Sequence, residues 1–438
     1  MFVPIAFIPG ISGELFRQFA VTVAVSMFIS AINALTLSPA LCGVLLQPHH
    51  GPRRGLIGKV MNGIDWVRDS YGAAVARIVR FSIIGIVMVV VASVGTYGLA
   101  RVTSTGFLPE DDQGAFFVVV QLPGGASVAR TAEVIGQAEA ILKQERAVED
   151  ITSVIGLNFI DNYSQANSAF IVVTLKPFEE RKDSSLGAAA VIDSLSTKFR
   201  QIQGGTVVPL APPPIIGLGT GGGFTYVLQD LAGGDPKALA QVVRGLVIAA
   251  NQNPDLSRVF TTFSATNPSI YLDIDRDKAQ ILGVPLNSVF QALQASLGSY
   301  YVNDINLFGR TWQVQVQAEA ADRATIDDMF RINVRSSEGK MIQLRSLVEA
   351  RVVVGPPALI RYNNLRAVTI QGSPAEGVSS GTALNAMDAV AAKTLPQGYA
   401  GAWTDTAFQE KRAEGKTAMI LGFALLFAYL FLVALYES

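Results

Sequence analysis

The residues with the best-spaced chemistry are Gly217, Gly219 and Gly222, which spell the G-x-G-x-x-G with which a backbone cradles a pyrophosphate at a helix N-terminus. The run leads instead into the strand-like FTYVLQ at 224–229, so no helix end follows to hold a phosphate. A flexible, close-packed loop after Pro212, Pro213 and Pro214 is the expectation. Glu110, Asp111 and Asp112 could hold a cation, but no His or Cys lies near them, and adjacent acids suit a solvated turn or a helix cap. His49 and His50 are adjacent, with nothing catalytic around them. Cys42, the single cysteine, sits in an apolar stretch where a thiol packs as a small hydrophobe, and it excludes a disulfide framework. No nucleophile with its base and orienting group, no zinc spacing and no apolar acid pair can be assembled. The chain is expected not to be an enzyme, and to need neither cofactor nor metal.

The elements that position these residues begin with hydropathy. Half of the 438 residues are hydrophobic and 16% are charged, too apolar for an ordinary soluble chain and too polar for one wholly in a membrane. Stretches 19–46, 81–100 and 417–436 contain no Asp, Glu, Lys or Arg, and each reaches the ~20 residues that cross a bilayer core, which predicts three spans. None holds an ionisable group of the kind that relays protons. Pro39 is expected to kink or end the first of these helices. Residues 1–8 are apolar but lack a basic n-region and run into Pro9 and Gly10, so they resemble the end of a further span rather than a signal peptide, and the chain reads as an internal piece.

Between the first two full spans, Arg53, Arg54, Lys59, Arg68, Arg77 and Arg80 outnumber Asp65 and Asp69, which marks this side as cytoplasmic. Ile57, Val60, Met61, Ile64 and Val67 recur there at helical spacing, predicting an amphipathic connector over 52–78 that lies in the membrane interface. Residues 101–416 would then face the far side, the periplasm of a Gram-negative cell. A net charge of −1 with mixed signs excludes a nucleic-acid partner.

The far-side segment is long enough for two or three domains. AFFVVVQ at 115–121 reads as a strand, and Ser127 as the cap of a helix carrying Val128, Ala132, Ile135, Ala138 and Ile141 on one face. Strands at VEDITSVIG and AFIVVTLKP, a helix over 185–201 and a strand at 206–209 complete a β-α-β-β-α-β order, the split βαβ or ferredoxin-like unit. FTYVLQ starts a second such unit whose later half, at 367–371, 382–393 and 401–404, comes only after an insertion. The expected division is a first subdomain over 101–215, a second over 222–266 and 357–414, and an inserted one over 267–356. The fold class is therefore membrane helices flanking an α+β domain.

Several strings carry a resemblance. GFLPEDDQG at 106–114, VQLPGGAS at 120–127, DIDRDKAQILGV at 273–284, YVNDI at 301–305 and LVALYES at 432–438 resemble, in order, the second half of resistance-nodulation-division multidrug efflux pumps of the AcrB, or hydrophobe/amphiphile, type. FVPIAF, FRQF and LSPALC resemble that family's fifth and sixth membrane helices. The resemblance implies porter subdomains with an inserted funnel or docking subdomain, a homotrimer, a periplasmic adaptor protein, an outer-membrane channel protein and proton-driven export of amphiphilic small molecules from the inner membrane. The family's proton-relay residues would lie outside this chain. It also implies a substrate cleft near Ile155, Phe159, Phe170, Val208, Leu210, Pro212, Gly217 and Phe260. A mobile loop would span 158–168, with Asn158, Asp161, Asn162, Tyr163, Ser164 and Gln165. Where the best-known members have phenylalanines and an acid, this chain has Ile155, Val208, Leu210 and Gly217.

The rivals are a heavy-metal exporter of the same superfamily and a protein-export auxiliary of SecD/SecF type. The former needs soft thioether ligands in the cleft, whereas Met329, Met341 and Met387 fall elsewhere in the sequence. The latter would lack the inserted subdomain.

Overall fold

The computed structural model describes residues 11–45, 55–103, 106, 108, 111–413 and 416–436. Residues 1–8, His49, His50, Arg53, Arg54 and Glu110 lie outside the described residues.

Helix α1 (Ile11–Leu45) runs through Pro39, which therefore does not end it. Its Thr22 and Thr36 hydroxyls donate to the carbonyls of Gln18 and Ile32 four residues back, so neither needs water as a partner. Helix α2 (Gly55–Arg80) has Arg77 and Arg80 in its last turn, where cations favour the helix dipole. The break to α3 (Ser82–Val102) falls at Phe81. Among the described residues one helical stretch, Arg17–Leu45, is long and apolar enough to cross a membrane, and the apolar stretches Gly85–Leu99 and Gly422–Tyr436 are shorter.

Beyond α3 comes β1 (Ala115–Gln121), then α4 (Val128–Leu142), β2 (Val148–Asn158), β3 (Tyr163–Leu175), α5 (Ala188–Lys198) and β4 (Thr206–Leu210). The sheet order is β2-β3-β1-β4, antiparallel throughout. Ser127 caps α4 by accepting the Arg130 N–H. The buried face of α4 is Thr131, Val134, Ile135, Ala138 and Leu142, so the expected stripe is shifted, and Val128 is exposed. Thr131 replaces an apolar residue because its hydroxyl donates to the Ala166 carbonyl at 2.8 Å, which satisfies it inside the core. That core lies between the helices and the sheet face formed by Phe116, Val118, Val120, Ile171, Val173 and Val207.

Asp112, just before β1, ties the segments around β1, Arg181 and the start of α5 together. Its carboxylate accepts two bonds from Arg181, at 2.7 and 3.3 Å, together with the Ala188 N–H at the start of α5 and the Gly114 N–H. Arg181, with 1% of its side chain exposed, also donates to the Lys176 and Leu186 carbonyls. Partial burial pushes the Asp112 carboxyl up, but the bonds from Arg181, Ala188 and Gly114 and the guanidinium charge outweigh it and hold the group below its ordinary value.

A second unit starts with β5 (Phe224–Asp230), buried along its whole length, then α6 (Pro236–Asn251) capped by Asp235 with Pro236 at its first position, then β6 (Leu256–Phe260). Next come β7 (Asn267–Ile274), α7 (Arg276–Ile281), α8 (Leu286–Leu293), the hairpin β8 (Tyr300–Leu307) and β9 (Arg310–Val316), α9 (Ile326–Phe330), β10 (Asn333–Arg335), β11 (Met341–Gln343) and β12 (Val348–Gly355). These pack a separate core around Val289, Met329, Leu344 and Leu347, with β12 paired to β7. The chain then returns through β13 (Ile360–Tyr362), β14 (Leu365–Pro374), α10 (Ser380–Thr394), β15 (Tyr399–Thr404), α11 (Asp405–Ala413) and α12 (Lys416–Tyr436). The second sheet runs β13-β14-β5-β15, with β6 also on β14. Its helix-side face, Phe224, Tyr226, Leu228, Val368 and Ile370, packs on α6 and α10.

Candidate functional site

In each sheet successive side chains alternate between faces, so a helix-side core leaves a second, open face. On the first sheet that face carries Phe117 and Val119 of β1, Phe170 and Val172 of β3, and Val208 and Leu210 of β4. The register sets Val119 between Phe170 and Val208, and Phe117 between Val172 and Leu210. Phe159 stacks on Phe170 with centroids 3.7 Å apart and planes 10° apart, and Phe117 meets both rings edge-on. Phe260 of β6 and Ile160 join the group, so both units contribute to it.

The expected mobile loop is largely strand. Asn158 ends β2, Tyr163, Ser164 and Gln165 belong to β3, and the connection is reduced to residues 159–162. Asn158 is buried, accepts the Asp161 N–H at 3.1 Å and donates to the Asp161 carboxylate. Asn162 takes a left-handed φ of 53°, which Asn tolerates well. Thr262, just past β6, donates to Asp161 at 2.7 Å and ties the turn to the second unit. Burial, aided by the Asp161 charge, holds the Tyr163 phenol above its ordinary value against a hydrogen bond with Asn158 that lowers it. Gln165 is buried and accepts from the Ser168 hydroxyl, while Ser164 is exposed.

The second sheet's open face is polar. Thr225 and Val227 of β5, Thr369 and Gln371 of β14, Thr404 of β15 and Tyr362 of β13 floor a cleft of about 330 Å3. Its walls are Ile160 from the first unit's turn, Asp405 at the start of α11, and Gly217, Gly219 and Thr220. Gln371 donates to the Thr220 hydroxyl and accepts from Thr225, which holds the glycine segment over the sheet. Gly223 has φ +86°, and a Cβ there would collide with the Gly372 carbonyl, so the G-x-G-x-x-G region serves close backbone approach to β14.

Of the sequence-derived candidates, Phe159, Phe170, Val208, Leu210 and Phe260 meet in the aromatic group, and Gly217 lines the cleft. Pro212 belongs to neither. Ile155 also stands apart: it pairs with Ala169 of the helix-side core, and the neighbouring Val154, opposite Phe170, takes the open face. Sequence reasoning missed Ile160, Asp405 and the Thr225, Thr369 and Gln371 floor. The last three were visible as polar residues at period two within FTYVLQ and AVTIQ. Met329 and Met387 are buried in cores away from the cleft, and Met341 is exposed on β11.

Two βαββαβ units, one interrupted by an insertion, with helices at both ends and a cleft between open sheet faces, define a mixed α+β class attached to apolar helices. The chain belongs to the AcrB/AcrD/AcrF family, whose model matches residues 1–438. It is 36% identical to the multidrug export protein AcrF of Escherichia coli (strain K12) over 445 residues, covering 100% of this chain and 43% of AcrF. It is 33% identical to the multidrug/solvent efflux pump membrane transporter MepB of Pseudomonas putida over 443 residues, 99% of this chain and 42% of MepB. Identity to the multidrug resistance protein MdtF of Escherichia coli (strain K12) is 31%, over 100% of this chain and 42% of MdtF. The chain thus spans less than half the length of these relatives, of which AcrF is named for export and MepB as an efflux pump transporter.

Proposed function

We propose that this chain is part of an inner-membrane drug/proton antiporter of the resistance-nodulation-division type, exporting amphiphilic compounds through a tripartite complex with a periplasmic adaptor and an outer-membrane channel. The observation that carries this is the cleft between the two units, walled by Ile160 of one and floored by the other's sheet. Its lining sets hydroxyls, an amide and a carboxylate beside Ile160 and Val227, which suits amphiphilic ligands that carry both polar and apolar groups. The relatives' names supply multidrug and solvent export.

In this proposal α1, α3 and α12 cross the bilayer, α2 lies at the cytoplasmic interface, and residues 101–416 are periplasmic. The two βαββαβ units are porter subdomains, and 267–356 is the docking subdomain. A homotrimer is supported by the β8–β9 hairpin, which leaves Tyr301, Ile305, Phe308 and Trp312 exposed, as expected for a surface that a neighbouring copy covers. The turn at 158–168 would move as substrate and protons shift the balance of conformations. Among the described residues no methionine lines the cleft, so nothing there favours the heavy-metal alternative.

The test is drug susceptibility of a pump-deficient strain carrying the full-length gene, beside a version with residues 158–168 shortened. Resistance to several lipophilic agents, lost on shortening the turn, is the expected outcome. Unchanged susceptibility to all of them would sink the proposal.

A further inference from the structure

Asp405 is the only charged residue among the described residues that line the cleft; the rest are hydroxyls, an amide, glycines, Ile160 and Val227. Its position is specific. Asp405 opens α11 with a left-handed φ of 55°, directly after the end of β15, and is half-buried. The Thr404 hydroxyl donates weakly to its carboxylate at 3.4 Å. Gly219 packs directly against the Asp405 side chain, where a Cβ would come within 3.2 Å of both its Cβ and its carboxylate oxygen, so the lack of a side chain at 219 is what lets the carboxylate sit in the cleft wall. A carboxylate in a cleft whose lining, among the described residues, holds no cation presents a negative field to whatever enters.

The apolar side chains of the lining are Ile160 and Val227, and Ile160 is the one residue shared by the cleft and the aromatic group of the first sheet. A ligand that fills the cleft therefore meets a carboxylate and apolar side chains. Anions are disfavoured at the first, and neutral compounds gain nothing from it. We infer that Asp405 makes this cleft selective for lipophilic organic cations, whose charged centre sits against the Asp405 carboxylate while their apolar groups lie toward Ile160 and Val227. This rests on the cleft being the substrate site, as proposed above.

The experiment compares export of tetraphenylphosphonium, a lipophilic cation, with that of Nile red, a neutral lipophilic dye, by the full-length pump in a pump-deficient strain. The variants are Asp405→Asn and Asp405→Gly. Both residues accept a left-handed φ, so each removes the charge without straining the start of α11, and pump abundance is checked by immunoblot. The ratio of tetraphenylphosphonium to Nile red export should fall about fivefold or more in both variants, as expected on loss of a desolvated charge partner. An unchanged ratio, or equal loss of both probes, overturns the role of Asp405 while leaving the cleft reading in place. Export of neither probe by the parent pump overturns the cleft reading itself.

Discussion

The first and second sheets share a strand order and an antiparallel register, and each packs two helices on one face, yet their other faces differ in chemistry. The first sheet turns Phe117, Val119, Phe170, Val172 and Leu210 outward; the second presents Thr225, Val227, Thr369, Gln371 and Thr404. The helix-side face must be apolar in both because it holds each unit's core. The open face is under no such demand. On the first sheet it closes on itself with Phe159, Ile160 and Phe260, leaving Phe170 only 5% exposed. On the second it stays open as the cleft. One topology thus yields a closed apolar face and an open polar one, and the division follows from side-chain type at alternate positions.

The sharpest way to break the second sheet is Gly223→Ala. With φ +86° and the Gly372 carbonyl in the way of any Cβ, the substitution should cost about 4 kcal/mol and lower the thermal midpoint of the solubilised full-length pump. A midpoint unchanged within error would show that the glycine segment does not lie on β14.

On the first sheet, Phe170→Ala should cost about 3 kcal/mol, since a buried ring is removed from a packed group. Phe159→Ala should cost less, because Phe159 is only half-buried. Equal thermal shifts for the two would contradict the closed aromatic face. The smallest effect is expected at the clamp beneath that sheet, where Asp112→Asn should cost about 2 kcal/mol by leaving the Arg181 guanidinium poorly compensated. Asp112 is held below its unfolded value of about 3.9. Its contribution is therefore complete above that value and is lost as pH falls through the lowered folded one. Acid unfolding of the parent should show this loss, and the gap between parent and Asp112→Asn should close at low pH. A gap that persisted there would refute the linkage.

Much of this was legible locally. The Ser127 cap, the strands AFFVVVQ and FTYVLQ, and motifs distinctive enough to indicate the family all lie in short windows of sequence. What failed did so for identifiable reasons. The buried face of α4 is shifted because Thr131 finds a carbonyl 35 residues away. Val154 pairs with Phe170 and Ile155 with Ala169, so Val154 rather than Ile155 lies on the open face, and the Gly156 bulge, with its φ of +86°, changes the register only beyond them. The family resemblance implied a loop over 158–168, but Gln165, Asn167 and Ser168 are buried and bonded within the hairpin and its neighbours.

The sequence by itself determined the apolar helices, much of the strand and helix order and the family, because hydropathy, caps and alternation act within a few residues. Only the tertiary structure decided that Asp112 meets Arg181, 69 residues on, and that Asp405 packs on Gly219 and shares a cleft lining with Ile160. Those meetings depend on how strands pair and how sheets face one another, and pairing is set by contacts that no local window of residues contains.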